Sequence, residues 1–363
     1  MKKSLEPSYN GSFSESLESW PSEAFFVISL TSKNKTNKIH SKNFRDLKKA
    51  INSKKLSWIN CCVDNLEKKS FEIADCFGFS ENLIVDLLSK HMSAYMDLDS
   101  ELGIVLPAVK VRNLTVSNSK IIILIKKNLV ISIHSKKVTR FMRFTNYAET
   151  FIKKMPFALS SQDKITILLN RLIDKNNEKN FENLRLIEEE GEKISGSLVN
   201  KEVSREHVGA DIYHMKQSLI KYLGSLWDSL DVINNLRYGD SELISDDKKI
   251  LADISSLASE IKTQIGLTEH MSEVLSSGLE VIQSIYNNQL QIMNNRLAFM
   301  VTWLTVLGTA VLVPNTLATI FGIPSISEHL NWITTIIILV ASTILSAVFS
   351  YWFIRQRLPS RIE

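Results

Sequence analysis

The stretch "RLAFMVTWLTVLGTAVLVPNTLATIFG", residues 296–322, is a long apolar run that begins after an arginine. No Asp, Glu, Lys, Arg or His occurs from Leu297 to Ser327, and none occurs from Leu330 to Ile354. About 20 apolar residues are enough for a helix to cross the hydrocarbon layer of a bilayer, and both runs are longer. Two uncharged core helices of this length would be unusual in a soluble protein. The sequence therefore predicts a membrane protein with two C-terminal transmembrane helices.

Basic residues around the two apolar runs predict the orientation. Arg296 precedes the first run, Arg355, Arg357 and Arg361 follow the second, and the loop between the runs has no Lys or Arg. By the positive-inside rule, both termini lie in the cytoplasm and the loop lies outside the plasma membrane. The whole chain has 43 Lys+Arg against 39 Asp+Glu, so its net charge gives no reason to expect a nucleic-acid partner.

The two ends of the chain and its cysteines carry simpler signals. Residues 1–22 are rich in Ser and Glu and predict a disordered tail. Residues 355–363 are expected to form a basic cytosolic tail. Cys61, Cys62 and Cys76 make no CxxC pair, which is typical of a reduced compartment.

Residues 23–160 are predicted to form a cytosolic α/β domain. Within them, the stretch "KKSFEIADCFGFSENLIVDLLSK" has helical spacing that is broken at Gly78, with Ser80 as the expected N-cap of the next helix. Strands are predicted where β-branched and aromatic residues cluster between polar turns. These runs are "AFFVISLT", "LSWINCCV", "ELGIVLPAVKV" and "KIIILIKKNLVISIH".

The remainder of the chain has a helical period. Residues 161–245 predict a cytosolic helical hairpin, and residues 246–321 predict a stalk helix that continues into the first transmembrane span. Residues 322–331 then form an extracellular loop, and residues 332–354 form the second span. The second span is mostly apolar, whereas the first contains Thr, Asn and Gly, which favours an inner, pore-lining position for the first. Two spans cannot enclose a pore, so the prediction requires an oligomer.

One face of the stalk helix changes character along its length. At a spacing of about 3.5 residues it begins acidic, becomes neutral and polar, and ends small and apolar. Such a period indicates helices that associate along a seam, so this face is predicted to line an axial pore. The alternative for its cytosolic part is the solvated face of an ordinary coiled coil. The predicted pore-lining residues, hereafter the pore stripe, are Asn287, Gln291, Asn294, Ala298, Val301, Leu304, Thr305, Gly308 and Leu312.

Several segments, taken in order, resemble the CorA family of divalent metal ion transporters, part of the two-span metal ion transporter superfamily. The segment "SWINCCVDN" is similar to the family's W-I-D segment, and "IIILIKKNLVISIH" to its strand pair ending in T-V-H. The segment "NNRLAFM" resembles the N-R-L-N-E-V-M entry to the first span. The resemblance implies an α+β membrane protein that forms a funnel-shaped homopentamer, with the long helix and first span lining the pore.

The family signature after the first span is replaced in this chain. Gly-Met-Asn becomes Gly322-Ile323-Pro324, and the family's Asn at the cytosolic mouth aligns with Ala298. Because Mg²⁺ keeps its waters and is recognised through oxygen acceptors, these replacements predict weak or absent Mg²⁺ preference. The predicted selectivity loop consists of Gly322, Ile323, Pro324 and Glu328, with capture resting on the Glu328 charge and on backbone carbonyls.

Other candidate sites are less specific. By the resemblance, Asp86 in "IVDLL" matches an Asp near a cytosolic subunit interface, where bound Mg²⁺ holds the gate closed; the alternative is a plain helix-surface carboxylate. His207 and His214 are seven residues apart and could share a helix face, although a solvated or inter-helix pair is the more ordinary arrangement. No GxGxxG, Walker or HExxH motif occurs, so no enzyme activity is predicted. The only cofactor expected is a divalent cation, as substrate or regulator.

These features together predict a CorA-like channel or transporter that passes metal cations, with divalent ions as the expected class, down their electrochemical gradient. The expected partners are the lipid bilayer, further copies of the same chain, and the cations. The alternative is a pentameric membrane sensor or scaffold on the CorA fold that passes no Mg²⁺. The missing Asn residues favour this alternative, whereas the polar stripe and the small residues favour transport.

Overall fold

The protein was analysed as a computed structural model, and the structure describes eight stretches of the chain. The N-terminal tail 1–22, the segment 324–330 and the end 358–363 lie outside the described residues. The chain divides into two compact units, Met1–Leu279 and Glu280–Glu363, and the boundary falls within its longest helix. The described residues are 23–31, 35–51, 55–90, 92–112, 115–199, 205–238, 241–323 and 331–357.

Within the described residues, the first unit contains a sheet of seven strands in the order β2-β1-β3-β7-β6-β5-β4. The central strands β3 and β7 are parallel, and every other neighbouring pair is antiparallel. The strands are β1 (Ala24–Leu30), β2 (Thr36–Ser41), β3 (Leu56–Val63), β4 (Ala94–Asp97), β5 (Glu101–Arg112), β6 (Thr115–Lys126) and β7 (Leu129–Ser135).

Helices cover both faces of this sheet, because the buried strands present apolar side chains alternately to the two sides. On one face, Val27 and Ile59 of the sheet share a core with Leu83. On the other face, the ring of Phe144 lies 5.1 Å from that of Trp58, measured between centroids. The helices are α1 (Phe44–Ile51), α2 (Leu66–Phe77), α3 (Glu81–Ser89), α4 (Thr139–Lys153), α5 (Ser161–Val199), α6 (Arg205–Tyr238), α7 (Lys248–Phe321) and α8 (Trp332–Arg357).

The four predicted strand runs all lie in the sheet. The last run spans β6 and β7, which are separated by a tight turn where Asn128 has a φ of 67°. The edge strands β2 and β4 were not predicted, because "TNKIHS" has no apolar run and "AYMD" is only 4 residues long. Their place in the sheet depends on pairing with β1 and β5, which is tertiary information.

The predicted helix break at Gly78 is confirmed. α2 ends at Phe77, and Gly78 adopts a left-handed conformation with a φ of 75°. Ser80 is confirmed as the N-cap residue of α3, although its side chain makes no capping hydrogen bond. Its backbone N–H instead donates to Oε2 of Glu101 at 2.8 Å, and Glu101 also pairs with Lys126 at 2.9 Å.

A chain of polar side chains crosses the buried centre of the sheet. The indole N–H of Trp58 donates to Oγ of Ser132 at 3.1 Å, and that hydroxyl donates to Oδ1 of Asn60 at 2.6 Å. Nδ2 of Asn60 lies 3.0 Å from Nε2 of His134, whose Nδ1 lies 3.0 Å from the carbonyl of Ser135. Because an indole only donates and a carbonyl only accepts, His134 is held as the neutral Nδ1–H tautomer. Burial lowers the pKa of His134 to about 4.

Candidate pore-lining surface

Two of the described helices, α7 and α8, are long and apolar enough to cross a membrane. The core helix of a soluble protein would satisfy the same test, but it would be mostly buried. Here only 6% of the most apolar window of α7, and 0% of that of α8, is buried inside the chain. The apolar surface of both helices therefore lacks a cover within the chain, as expected for helices that face lipid or other copies.

In the second unit, α7 and α8 contact one another, and a polar pair forms part of this contact. Oγ1 of Thr309 lies 2.6 Å from Oγ of Ser350, and the neighbouring Val306 is buried. If the helices were parallel, the end of α7 and the start of α8 would be about 45 Å apart at 1.5 Å per residue. The ten residues 322–331 cannot span that distance at about 3.5 Å each. The two helices are therefore antiparallel.

The contact between Thr309 and Ser350 can be tested by a double-mutant cycle. Combining Thr309→Val with Ser350→Ala should show a coupling free energy of about 0.6 kcal/mol, the average for hydrogen bonds between membrane helices. The measurement is unfolding of the full-length protein in mixed micelles with increasing SDS. Ser346→Ala is the matched control, because Oγ of Ser346 bonds to the carbonyl of Thr343 in its own helix at 3.1 Å. Equal coupling of Thr309→Val with Ser350→Ala and with Ser346→Ala would contradict the contact.

Threonine hydroxyls in the apolar part of α7 bond to their own helix. The hydroxyl of Thr305 donates to the carbonyl of Val301 at 2.9 Å, and that of Thr316 donates to Leu312 at 2.8 Å. This satisfies the donor without a partner helix and lowers the cost of placing a hydroxyl in hydrocarbon. Each oxygen keeps lone pairs that can accept a hydrogen bond from water or approach a cation.

The pore stripe is open to its surroundings over nearly its whole length. Each of its side chains is exposed except Gly308, which is half-buried. At 100° per residue, eight of its nine positions lie within about 60° of a common direction. Leu304 lies at the edge of the stripe, about 90° from that direction. Its side chain therefore faces the predicted pore less directly than those of Val301 and Leu312. Val301, at 61%, and Leu312, at 63%, are among the more exposed apolar side chains of α7.

The described part of the predicted selectivity loop begins where α7 ends. The N–H of Gly322 donates to the carbonyl of Ala318 at 2.9 Å, so the glycine continues the helical hydrogen bonding by one residue. The Ile323 side chain is about half exposed and offers no oxygen. The other two predicted loop residues, Pro324 and Glu328, lie outside the described residues.

The predicted metal and histidine positions belong to the first unit. Asp86 is an exposed residue of α3, and His207 and His214 are exposed residues of α6. Across the residues that the structure describes, no group of three or more His, Cys, Asp or Glu side chains is placed to hold a metal ion.

Comparisons with known proteins bear on the fold and the family. Residues 53–356 match a family described as "CorA-like Mg2+ transporter protein". The complete CorA magnesium transporter of Methanocaldococcus jannaschii superposes with a TM-score of 0.64 at 18% identity, covering 92% of this chain and 98% of that one. The full-length CmaX protein does so with a TM-score of 0.57 at 16% identity, again covering 92% and 98%. No curated protein matches the sequence. The predicted α/β unit, long helix and two C-terminal apolar helices are thus confirmed.

Proposed function

The chain belongs to the family of CorA-like Mg²⁺ transporter proteins, and from this membership we propose that it conducts metal cations across a membrane through a pore formed by several copies. The protein has the CorA fold with two apolar C-terminal helices, which makes it a membrane protein. The proposed assembly is a homopentamer in the plasma membrane, with both termini in the cytoplasm. Divalent ions are the proposed class of substrate.

The observation that carries this proposal is the uncovered, uncharged pore stripe of α7. From Asn287 to Leu312 it passes from amide side chains to small and apolar ones, and none of it is buried inside the chain. Rings of amides from several copies would offer oxygen atoms in place of part of an ion's hydration shell. Further along, rings of Val301 and Leu312 would form constrictions that stop ions by excluding water.

The energetics of entry need no further machinery in the chain. An ion with two charges that moves inward gains about 4.6 kcal/mol per 100 mV of membrane potential, at about 2.3 kcal/mol per charge. The pore must therefore select and gate, but it need not couple transport to another reaction. Uptake down the electrochemical gradient is the proposed direction.

Selection for Mg²⁺ is proposed to be weak. The two positions where the family carries Asn hold Pro324 and Ala298, and neither side chain supplies an oxygen. At the outer end, Ile323 is exposed and equally without an acceptor. Backbone carbonyls near Gly322 and the charge of Glu328 are the proposed means of capture.

A second candidate function rests on the same loss of acceptors. A CorA-fold oligomer without oxygen rings at its two mouths could act as a membrane sensor or scaffold that passes no Mg²⁺. In that case, metal binding near Asp86 at a subunit contact would be a signal rather than a gate. The two candidates differ in whether purified protein passes any ion.

The deciding experiment is ion flux into proteoliposomes that contain the full-length protein. Separate samples receive Mg²⁺, Co²⁺, Ni²⁺, Zn²⁺ or K⁺, and entry is followed with a dye suited to each ion. We expect divalent flux with little preference for Mg²⁺. The double variant Ile323→Met with Pro324→Asn, which restores the family tripeptide, should raise Mg²⁺ uptake relative to the other ions.

Two variants complete the flux experiment. Glu328→Gln should lower the flux of every cation, because it removes the charge proposed to gather ions at the mouth. Leu345→Ala is the matched control on α8, where the side chain is 75% exposed and proposed to face lipid, and it should leave flux unchanged. Absence of flux for all ions from a correctly assembled protein would overturn conduction in favour of the scaffold. Strong Mg²⁺ selectivity that Glu328→Gln does not alter would overturn the proposed basis of capture.

A further inference from the structure

Exposed aromatic side chains mark both ends of the apolar segment of α8. Trp332 is 71% exposed at the first residue of the helix, and Trp352 is 53% exposed near its last turn. These two positions are 20 residues apart, which corresponds to about 30 Å of helix, the thickness of the hydrocarbon layer. Indole rings collect at the two membrane–water interfaces because they combine an apolar body with a polar N–H.

The hydrogen bond between Thr309 and Ser350 shows which residues of α7 and α8 lie at the same depth, so the membrane–water interface found on α8 can be placed on α7. Since the helices are antiparallel, each residue further along α8 lies opposite one residue earlier on α7. Trp352, two residues after Ser350, therefore lies opposite Leu307. The first charged residue after the apolar run of α8 is Arg355, and it lies opposite the α7 position three residues before Leu307.

α7 carries its own aromatic pair just before this level. The ring centroids of Phe299 and Trp303 are 6.2 Å apart in an edge-to-face arrangement, and both side chains are about half exposed. At 100° per residue, Trp303 lies about 160° around the helix from Thr305, which places it opposite the pore stripe. Its indole is thus directed away from the proposed pore axis.

From these positions we infer that the hydrocarbon layer meets α7 at Leu307, and that Trp303, about 6 Å before it, lies in the layer of lipid headgroups. The uncharged run of the sequence begins ten residues earlier, at Leu297. An arginine in hydrocarbon is costly, so the level of Arg355 also belongs to the headgroup layer or the water beyond it. The lack of charge before Leu307 therefore does not mark the membrane.

This boundary divides the pore stripe. Ala298 and Val301 lie on the side of the headgroups and water, whereas Gly308 and Leu312 lie within the hydrocarbon. Of the apolar stripe positions far enough along α7 to be surrounded by lipid, Leu312 has the largest side chain. The inference rests on membrane insertion and not on conduction, so it can fail or succeed independently of the proposed function.

The depth of single tryptophans in the full-length protein tests the inference. The protein is reconstituted in bilayers with lipids brominated at shallow, middle or deep acyl positions, and quenching of fluorescence is compared. Trp20 and Trp227 are first replaced by Phe. Trp58 is retained as an unquenched background, because it is fully buried and its indole N–H bonds to Ser132.

Each variant then keeps one further tryptophan. Trp303, Trp332 and Trp352 should each be quenched most by the shallow bromines. Val340→Trp, an exposed position between the two aromatic ends of α8, is the deep control and should be quenched most by the deep bromines. Leu297→Trp should be quenched about threefold less than Trp303 by every lipid, because quenching requires contact with the bromine and this position lies about 9 Å further from the hydrocarbon than Trp303 does.

Two results would overturn the inference. Strongest quenching of Trp303 by deep bromines, with Leu297→Trp quenched by shallow ones, would place the boundary at the start of the uncharged run. Absence of quenching at Trp303 in a sample where Trp352 responds to shallow bromines would show that α7 does not meet lipid at this level.

Discussion

Acidification from pH 7 to pH 4 is expected to lower the free energy of unfolding by about 3 kcal/mol, because the sheet holds His134 without a proton. The pKa of His134 is about 4 in the folded protein, against an ordinary value of 6.5, owing to burial. Between these values the unfolded chain binds more protons than the folded one. The stabilisation is therefore complete above pH 6.5 and is lost as the pH falls toward 4.

The structural reason for the low pKa of His134 is its burial together with the hydrogen bond that Asn60 already makes to its ring. A proton on Nε2 of His134 would face Nδ2 of Asn60 at 3.0 Å, which is a donor, and Oδ1 of Asn60 at 3.2 Å, which already accepts the hydrogen bond of Ser132. Burial also lowers the pKa of His40, so that side chain adds to the loss with the same sign. The pKa of Glu101 and that of Asp163 are lowered from values of 4.5 and 3.8, so these carboxylates act at lower pH.

The measurement is the thermal midpoint of the full-length protein in detergent between pH 7.5 and pH 4. His134→Gln should lower the midpoint at pH 7.5 and flatten its decline with acid, since the glutamine amide does not titrate. His270→Gln is the matched control at an exposed position of α7 and should leave the decline unchanged. If His134→Gln declines as steeply as the unmodified protein, the chain through Asn60 is not the origin of the effect.

Leu312→Asn is expected to raise passive cation leak at least about tenfold, the change that a barrier lower by about 1.4 kcal/mol produces. Leu312 is the last residue of the pore stripe, and its side chain points close to the stripe's common direction and is 63% exposed. A ring of leucines excludes water from a narrow pore, and a ring of amides would allow water and ions to enter. The measurement is dye-reported flux in proteoliposomes without an applied potential.

Val311→Asn supplies the control for this leak. It introduces the same amide one residue earlier, about 100° around the helix, at a side chain that is 66% exposed. We expect no added leak from Val311→Asn. Equal leak from both variants would indicate general damage to the membrane unit. If leak rises only when Val301 or Leu304 is replaced, the barrier lies at that residue instead. Unchanged flux after replacement of each of Leu312, Val301 and Leu304 would place the barrier outside the stripe.

The parts of the fold that the sequence predicts are those that depend on local physical limits. A run that lacks charge over the thickness of a bilayer predicts a membrane helix, so the apolar parts of α7 and α8 can be predicted from composition alone. The interior strands β3 and β6 can be predicted from the sequence because β-branched and other apolar residues are concentrated there. The edge strand β2 is not, since "TNKIHS" becomes a strand only by pairing with β1.

The hydrogen-bonded polar side chains at the sheet centre are an arrangement that the sequence does not predict. Asn60 and Ser132 are separated by 72 residues, and they meet only because β3 and β7 pair in parallel. No spacing rule connects these two positions in the sequence. The signal was the polar residues inside otherwise apolar runs, "LSWINCCV" and "LVISIH", which require a buried hydrogen-bond partner.

For the candidate site, the period of α7 predicts which residues share a face but not what covers them. The structure adds that the face is uncovered within the chain and that Leu304 lies at its edge. It also adds the level of the membrane, through the contact of Thr309 with Ser350. Which atoms face an ion depends on neighbouring copies, and that information is absent from any single chain.

The position of the boundary between the two units has a consequence for biosynthesis. Every strand of the sheet, and the parallel pairing of β3 with β7, lies before Leu279, whereas the apolar part of α7 and all of α8 come afterwards. Chains emerge from the ribosome from the N-terminus at about 5–20 residues per second, so the sheet is complete in the nascent chain several seconds before the first span. The two apolar helices are therefore synthesised after every residue of the sheet, so the sheet can begin to fold before either helix is available for membrane insertion.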